Sequence, residues 1–232
     1  MATAERKRLG ARLGAAGSSG EADRNGEPGQ RIAEAGRNAS TCQGGGVPDV
    51  GSVLVGERRG SGMSLAIACS RFNGVITERL LYGALKGLAA NGVTGPAVNV
   101  VWVPGAFELP LAASKLAESG DFSAVICLGA VIRGDTGHYE HVAGQCAAGI
   151  LRAQLDTGVP VVFGVLTCDT VEQALERSGG GGVGDLGEDM EMNKGFEAAA
   201  TALEMADLLT RLAAHGEARQ FSGLPAETGI RP

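Results

Sequence analysis

Four apolar runs of strand length alternate with segments of helical spacing along most of this chain, and this alternation constrains its fold more than any other feature. The runs are residues 64–70, 98–103, 122–128 and 160–167. Because each run is apolar at nearly every position, the predicted strands are buried on both faces, as in a parallel sheet covered by helices. The predicted helices are residues 77–90, 107–116, 139–155, 170–177 and 195–214.

The order of these elements predicts an α/β fold. We expect a three-layer α/β/α sandwich of the flavodoxin-like type, with a mainly parallel four-stranded sheet. The short apolar stretch Val53-Leu54-Val55 predicts an additional N-terminal edge strand. Ligands of such sheets bind beyond the carboxyl ends of the strands, so functional residues are expected in the segments that follow each strand.

The two ends of the chain differ in composition from its middle. Residues 1–46 are rich in Gly, Ala, Ser, Arg and Glu and lack an apolar period, which predicts a disordered N-terminal extension. Residues 47–215 form the predicted catalytic domain, and residues 216–232 a disordered tail. Arg, Ala and Ser in the extension are typical of an organelle transit peptide, whereas its acidic residues favour a plain disordered tail.

Charge and cysteine usage exclude several classes of protein. A net charge of −6 argues against a nucleic-acid binder with a broad basic face. No apolar run approaches the ~20 residues of a membrane-spanning helix, and no secretory signal is expected at the start. The five cysteines include no Cys-x-x-Cys pair, and their odd number fits a reducing compartment.

The segment from Gly129 to His138 is the strongest candidate for a catalytic corner. Its three glycines let the backbone turn sharply after a buried strand. The backbone N–H groups at the start of the following helix form a natural seat for phosphate. An imidazole beside that seat can move protons near neutral pH, which makes His138 a candidate acid–base catalyst; the alternative is a helix cap or a surface residue.

Two motifs invite other interpretations. The stretch His138-Tyr139-Glu140-His141 lacks both the later Pro-Cys-x-x-Cys of zinc deaminases and the His-Glu-x-x-His pattern, so we expect no metal. Residues 182–187 match the dinucleotide pattern Gly-x-Gly-x-x-Gly, but they follow a helix and precede acidic residues. A loop is therefore expected there.

Several side chains near strand and helix ends favour a planar, anionic substrate. Phe72 and Phe107 lie just past strand ends in a chain with only 4% aromatic residues, which favours stacking on a ring; the alternative is that they cap the core. Glu108 either accepts hydrogen bonds from a polyol or is a first-turn helix acid. Lys194 precedes the final helix, where a cation is disfavoured, which indicates an anion there.

Several motifs together resemble the 6,7-dimethyl-8-ribityllumazine synthase family, in order from about residue 47 to 213. They are RFN at 71–73, PGAFELP at 104–110, GAVIRG at 129–134 with Thr136 and His138-Tyr139, FGVLT at 163–167, QALER at 173–177 and NKG at 193–195. The details are most similar to plant and algal members, which carry plastid-targeting extensions. The resemblance therefore implies a plastid location, with the cytoplasm as the alternative.

The resemblance implies the penultimate step of riboflavin biosynthesis, in which a ribitylamino-pyrimidinedione condenses with 3,4-dihydroxy-2-butanone 4-phosphate. Phosphate and water are released, without a metal or an organic cofactor. The resemblance also implies small-molecule substrates, no nucleic-acid or membrane partner, and a homopentamer with sites between subunits, which some members extend to capsids. The long acidic link at 179–192 favours the pentamer, and the lysine usual in that link has no clear counterpart here.

Site residues carry over onto matching positions. His138 is implied as the proton donor and acceptor. The implied substrate contacts are Phe72, stacked on the pyrimidine; Ala106, Phe107 and Glu108, on the ribityl chain and ring edge; Ala130, Val131 and Ile132, through their backbone; Asp135 and Thr136, on the phosphate with Arg177; Phe163, from a neighbouring subunit; and Lys194.

Overall fold

The computed structural model describes residues 53–182 and 189–222, with side chains described to residue 215. Its strands are β1 (Leu65–Ser70), β2 (Val98–Val103), β3 (Ala124–Ile132) and β4 (Val161–Cys168). Its helices are α1 (Gly74–Ala90), α2 (Leu109–Glu118), α3 (His138–Thr157), α4 (Val171–Arg177) and α5 (Lys194–Ser222), with 3-10 turns at Gly95–Ala97 and Ala106–Glu108.

The four strands form one parallel sheet in the order β2-β1-β3-β4. The order reverses between β1 and β3, so the seam between these two strands is the topological switch point of the sheet. Helices α1 and α5 pack together on one face, and α2 and α3 pack together on the other. The predicted three-layer, flavodoxin-like sandwich is therefore confirmed.

Alternation along the central strands supplies both layers of the core. All six residues of β1 are buried. One face of the sheet packs with α2 and α3 through Ala66, Ala68, Val125, Cys127, Leu109 and Ile150. Since successive side chains of a strand point to opposite faces, Ile67 and Ile126 are buried on the α1/α5 side. The continuous apolar runs of β1 and β3 thus reflect strands covered on both faces, whereas on the edge strand β2 only Val103 is buried, so the expectation of burial on both faces is wrong for β2.

Several boundaries differ from the sequence expectation. β3 continues to Ile132, so Gly129 lies inside the strand and the turn begins only at Arg133. A Cβ on Gly129 would lie 3.1 Å from Leu109 Cδ1, so a larger residue at this position would require the Leu109 side chain to shift. Helix α5 continues to Ser222, into the segment predicted as a disordered tail. The predicted extension 1–46 and residues 183–188 of the acidic link lie outside the described residues.

The predicted edge strand at Val53-Leu54-Val55 is wrong. This segment has no regular secondary structure, and Val53 and Val55 are 74% and 45% exposed. Just after it, Glu57 donates its backbone N–H to Asp207 on α5 at 2.8 Å, and its carboxylate pairs with Arg211 at 2.6 Å. These contacts hold the segment against α5 instead of hydrogen-bonding it to an edge of the sheet.

The start of α5 is fixed by Asn193, which is buried. Its side-chain nitrogen donates to the backbone carbonyls of Arg79 and Ser178, at 3.1 and 2.9 Å, and its side-chain oxygen accepts the Gly195 N–H at 2.9 Å. Helix α1 lies so close that a Cβ on Gly195 would overlap the Leu80 carbonyl oxygen. Asn193 therefore caps α5 and joins it to α1 and to the end of α4.

Candidate active site

Most of the predicted site residues lie at the carboxyl ends of the strands. Since parallel strands end at the same edge of a sheet, the segments after β1 and β2, the end of β3 and the start of α3 are neighbours there. We call these residues the carboxyl-end group: Phe72, Ala106, Phe107, Glu108, Ala130, Val131, Ile132, Asp135, Thr136 and His138.

The two aromatic rings of the carboxyl-end group point away from the core. Phe72 is 69% exposed and Phe107 57% exposed, so the alternative that they cap the core is wrong. Glu108, which ends the 3-10 turn after β2, is also exposed. The group therefore offers two free rings and a carboxylate to a ligand.

β3 presents an open backbone edge at the switch point. Its pairing with β1 ends at Cys69 and Leu128, although β3 itself continues to Ile132. The last residues of β3 therefore have β4 on one side and no paired strand on the other. Their backbone groups on the β1 side are available for other partners.

Two hydrogen bonds show which backbone groups face that open side. Arg133 donates its N–H to the Cys168 carbonyl on β4 at 2.9 Å, whereas the Ala130 carbonyl accepts a hydrogen bond from the β1 side at 2.9 Å. Because the N–H and C=O of one strand residue point to the same side and alternate along the chain, Val131 directs its backbone toward β4. Ala130 and Ile132 direct theirs toward the open side.

The donor to Ala130 is the side chain of Asn73, the residue after Phe72. Among the described residues Asn73 is the one non-glycine with a positive φ, 57° with ψ 44°. Its backbone carbonyl starts α1 by accepting from Ile76 at 2.9 Å, but its side chain makes no capping hydrogen bond to the helix. The sequence contains Asn73 within a motif, yet no spacing rule assigns it this bridge.

The start of α3 has backbone N–H donors that the residue before the helix does not cap. Gly137 precedes the helix and has no side chain to cap it, and His138 is its first residue. Asp135, Thr136 and His138 are exposed. The N–H groups of the first turn, of which only the Glu140 amide is engaged by its own carboxylate, and the positive end of the helix dipole therefore lie beside the imidazole, as an anion seat requires.

Arg133 ties this corner together. Its Nε donates to Asp169 after β4 at 2.8 Å, its Nη1 pairs with Glu140 on α3, and its guanidinium lies 4.1 Å from the centre of the Tyr139 ring. Asp169 and then Glu140 raise the pKa of Arg133 above its ordinary value. Arg133, followed by the residue's own backbone amide, lowers the pKa of Glu140. The charge of this arginine is thus matched by carboxylates of the protein.

Three further predicted residues line a separate cavity of about 580 Å³ along the open edge of β4, between α3 and α5. We call Phe163, Arg177 and Lys194 the β4-edge group. No member of the carboxyl-end group is among the residues described as lining this cavity. Phe163 also lies about 16 Å along the strand from Cys168, the residue at which β4 ends.

The two cations of the β4-edge group differ in their partners. Lys194 pairs with Glu197 in the first turn of α5, so its position at the helix start does not by itself require a bound anion. Arg177 donates to the Gln173 carbonyl at 3.2 Å, and its pair with the Glu176 carboxylate is long, 3.9 Å. Arg177 is therefore less closely paired with a carboxylate than Lys194 is, and its guanidinium is available to bind an anionic ligand.

Elsewhere in the described residues, no group of three or more His, Cys, Asp or Glu side chains is placed to hold a metal ion, and no helix is long and apolar enough to cross a membrane. Cys69, Cys127, Cys146 and Cys168 are buried and free. Burial raises the pKa of Cys69 to about 12 and that of Cys146 to about 11, so these thiols stay protonated and pack as small apolar groups.

Comparison with known proteins identifies the family. The family model described as 6,7-dimethyl-8-ribityllumazine synthase matches residues 62–210, which include both groups of site residues. The chain is also 53% identical, over 161 residues, to the 6,7-dimethyl-8-ribityllumazine synthase of Syntrophus aciditrophicus (strain SB), covering 69% of this chain and 99% of that protein. With more than half of its length matched by the model and nearly all of that relative covered, this chain belongs to the 6,7-dimethyl-8-ribityllumazine synthase family.

Proposed function

We propose that this protein condenses 5-amino-6-(D-ribitylamino)uracil with 3,4-dihydroxy-2-butanone 4-phosphate to give 6,7-dimethyl-8-ribityllumazine, phosphate and water. This is the penultimate step of riboflavin biosynthesis, and family membership supports the transferase reaction. The observation in the chain that carries the proposal is the carboxyl-end group. An exposed ring, an open strand backbone and an imidazole at a helix start lie at the same edge of the sheet.

The pyrimidine substrate binds at the switch point in this proposal. The exposed Phe72 ring stacks on the planar heterocycle. The Ala130 N–H and the backbone N–H and carbonyl of Ile132, which face the open side, hydrogen-bond the edge of the heterocycle, as a neighbouring strand would. Glu108 accepts hydrogen bonds from the ribityl hydroxyls beside Ala106 and Phe107.

The phosphate of the second substrate binds at the start of α3. Uncapped N–H groups and the helix dipole favour an anion there. Since the Asp135 carboxylate is itself negative, the contacts of Asp135 and Thr136 to phosphate run through the backbone. Arg177 supplies a charge-assisted contact to the same phosphate.

His138 moves the protons. The amine adds to the ketone carbonyl and water leaves to form an imine; loss of a carbon-bound proton then expels phosphate, and closure of the second ring releases another water. An imidazole beside the phosphate seat can accept and return protons in each of these steps. Because both substrates are reactive, holding the amine and carbonyl in attack geometry supplies most of the acceleration.

A second copy of the chain completes the site. The β4-edge group carries a ring and two cations that the carboxyl-end group lacks, and it lies around another cavity. Beside that cavity, the α3 side chains Leu151 and Leu155 are 55% and 71% exposed, which favours burial against another copy. We place Phe163, Arg177 and Lys194 at the neighbour's carboxyl-end group in a homopentamer. A sedimentation mass near five times 23.4 kDa is expected, and a capsid-sized particle would contradict the pentamer.

The reaction is tested by mixing the purified protein with both substrates. The lumazine product, followed by its fluorescence, and free phosphate should form in equal molar amounts. The rival function is a flavin- or nucleotide-binding module with a similar sheet and ring site. Such a module would bind flavin and release no phosphate from the butanone substrate.

We also propose that residues 1–46 direct the protein to plastids. The Arg, Ala and Ser content of the segment supports this proposal, and its acidic residues favour the cytoplasmic alternative. Fusing residues 1–46 to a fluorescent protein and incubating the fusion with isolated chloroplasts tests it. Uptake and shortening of the fusion are expected, and a fusion that stays outside at full length would contradict the proposal.

A further inference from the structure

Asn73 adopts a backbone conformation that other side chains rarely tolerate. Its φ of 57° and ψ of 44° lie in the left-handed region, where asparagine and glycine are accepted more readily than most residues. It also stands immediately before α1, where an asparagine side chain ordinarily accepts an N–H from the first turn. Here the side chain makes no such bond.

The side chain instead reaches across the switch point. Its Nδ2 donates to the Ala130 carbonyl at 2.9 Å, joining the segment after β1 to the end of β3. The preceding residue, Phe72, donates its backbone N–H to the Pro104 carbonyl after β2 at 3.1 Å. The backbone that carries the Phe72 ring is therefore fastened to the ends of both strands that flank β1.

We infer that Asn73 is a positioning residue for the pyrimidine substrate: through its bond to Ala130, it holds the Phe72 ring beside the open backbone edge of β3. The inference rests on the proposed function, which places the pyrimidine against Phe72 and that edge. Asn73 acts through these neighbours and does not contact the substrate itself.

The same bond sets the hydrogen-bonding character of the edge. With its carbonyl engaged by Asn73, Ala130 presents an N–H donor to the open side, while Ile132 presents both an N–H and a carbonyl. A dione, whose ring carbonyls are acceptors, finds a donor at Ala130. A ring with an amino group at the same place would meet that donor and would have to share the Ala130 carbonyl with Asn73, which disfavours it.

Two variants test the role of the Asn73 side chain while keeping the backbone conformation of this residue. Asn73→Gly keeps the left-handed conformation and replaces asparagine at a helix start at little expense in stability, but it removes the bond to Ala130. We expect the KM for the pyrimidine substrate to rise roughly five- to tenfold, the size of one lost hydrogen bond. The kcat and the KM for the butanone phosphate should stay unchanged, and the thermal midpoint should fall by only about 2–5 °C, as expected for one hydrogen bond lost within the protein.

Asn73→Asp is the second variant, because aspartate also tolerates the conformation and can cap α1. Its carboxylate cannot donate and would face the Ala130 carbonyl oxygen, so the pyrimidine KM should rise at least as far as in Asn73→Gly. The matched control is Asn91→Asp at the other end of α1, where Asn91 donates to the Gly87 carbonyl at 2.7 Å. That control should alter neither KM.

The outcomes separate the inference from the function on which it rests. Active wild-type protein with both Asn73 variants unchanged in pyrimidine KM would overturn the inference alone. So would variants that raise both KM values equally, or an Asn91→Asp protein that shows the same rise. Wild-type protein that forms no lumazine from the two substrates would instead reject the proposed function.

Discussion

The carboxyl-end group and the β4-edge group are assembled by different parts of the same sheet. The first lies at the switch point, where diverging connections leave strand ends and a helix start facing a common space. The second lies along the outer edge of β4, around a cavity open to the side of the domain. The topology of one chain thus brings together the residues for ring binding and proton transfer at the switch point. It places the β4-edge group on the outer side of the domain.

The two groups also differ in the use of positive charge. In the carboxyl-end group, Arg133 is paired with Asp169 and Glu140, so it organises the corner and leaves little charge for a ligand. In the β4-edge group, the carboxylate partner of Arg177 is at 3.9 Å. The cation best placed to bind phosphate therefore lies in the group without the histidine, which makes the pairing of the two groups testable.

The largest effect is expected from His138→Ala. Removing the proton carrier should lower kcat by about 10²–10³-fold and leave residual turnover, because positioning of the substrates remains. Affinity for the lumazine product, measured by fluorescence titration, should stay near that of the wild type. If product binding were lost together with turnover, His138 would be needed for the structure of the site. That result would contradict the assignment of proton transfer to the carboxyl-end group.

A smaller effect, confined to one substrate, is expected from Arg177→Ala. Losing a charge-assisted phosphate contact should raise the KM for the butanone phosphate about 10–100-fold, with kcat little changed. Arg58→Ala is a matched control, since Arg58 has a similar side-chain exposure, 47% against 45%, and pairs with Glu204, and neither residue lines the cavity beside β4. A pure kcat effect in Arg177→Ala would count against phosphate binding.

Mixing these two variants, and assaying them at a butanone phosphate concentration far below its KM where each alone is weakly active, tests whether the two groups of one site come from different chains. If His138 and Arg177 of neighbouring copies meet in one site, co-assembly of the variants at equal amounts should restore roughly a quarter of wild-type activity, because that share of sites is intact. The proteins are refolded together, with each variant refolded alone as the control. No recovery despite mixed oligomers would place both residues in the site of a single chain.

The smallest effect is expected from Glu140→Gln. Arg133 lowers the pKa of Glu140, so their pairing contributes stability above the ordinary glutamate range and loses it as the pH falls through the lowered pKa. The difference in thermal midpoint between wild type and variant should therefore be largest at neutral pH and vanish in acid. Because the freed Arg133 charge lies beside the phosphate seat, the KM for the butanone phosphate should also fall about twofold.

Local sequence patterns were enough to predict the fold and the start of a helix at His138. Each strand corresponds to an apolar run, and each helix to apolar residues at helical spacing, because burial on sheet faces imposes those periods. The same rule wrongly predicted an edge strand at Val53-Leu54-Val55, because three apolar residues in a row do not specify which element of the fold they pack against. Contacts with α5, more than a hundred residues later, decide where this segment lies.

The long-range hydrogen bonds that organise the site could not be predicted from local sequence patterns. Asn73 meets Ala130 across 57 residues of sequence, and Asn193 meets Arg79 across 114. The division of the predicted residues into two groups likewise follows from the position of β4 at the edge of the sheet. Spacing along the chain specifies neither the order of strands nor the reach of a side chain across a seam.

The buried anchor at Asn193 has a consequence for the acidic link before it. A connection whose far end is pinned independently can gain or lose residues without shifting the register of the helix after it. Lys194 and α5 begin at the same place relative to α1 and α4, whatever the length of residues 179–192. Evolution, or an engineer, can therefore rewrite the charge and size of that connection after Gly182, whose carbonyl accepts a hydrogen bond from the buried Arg79, while the cavity beside β4 keeps its frame.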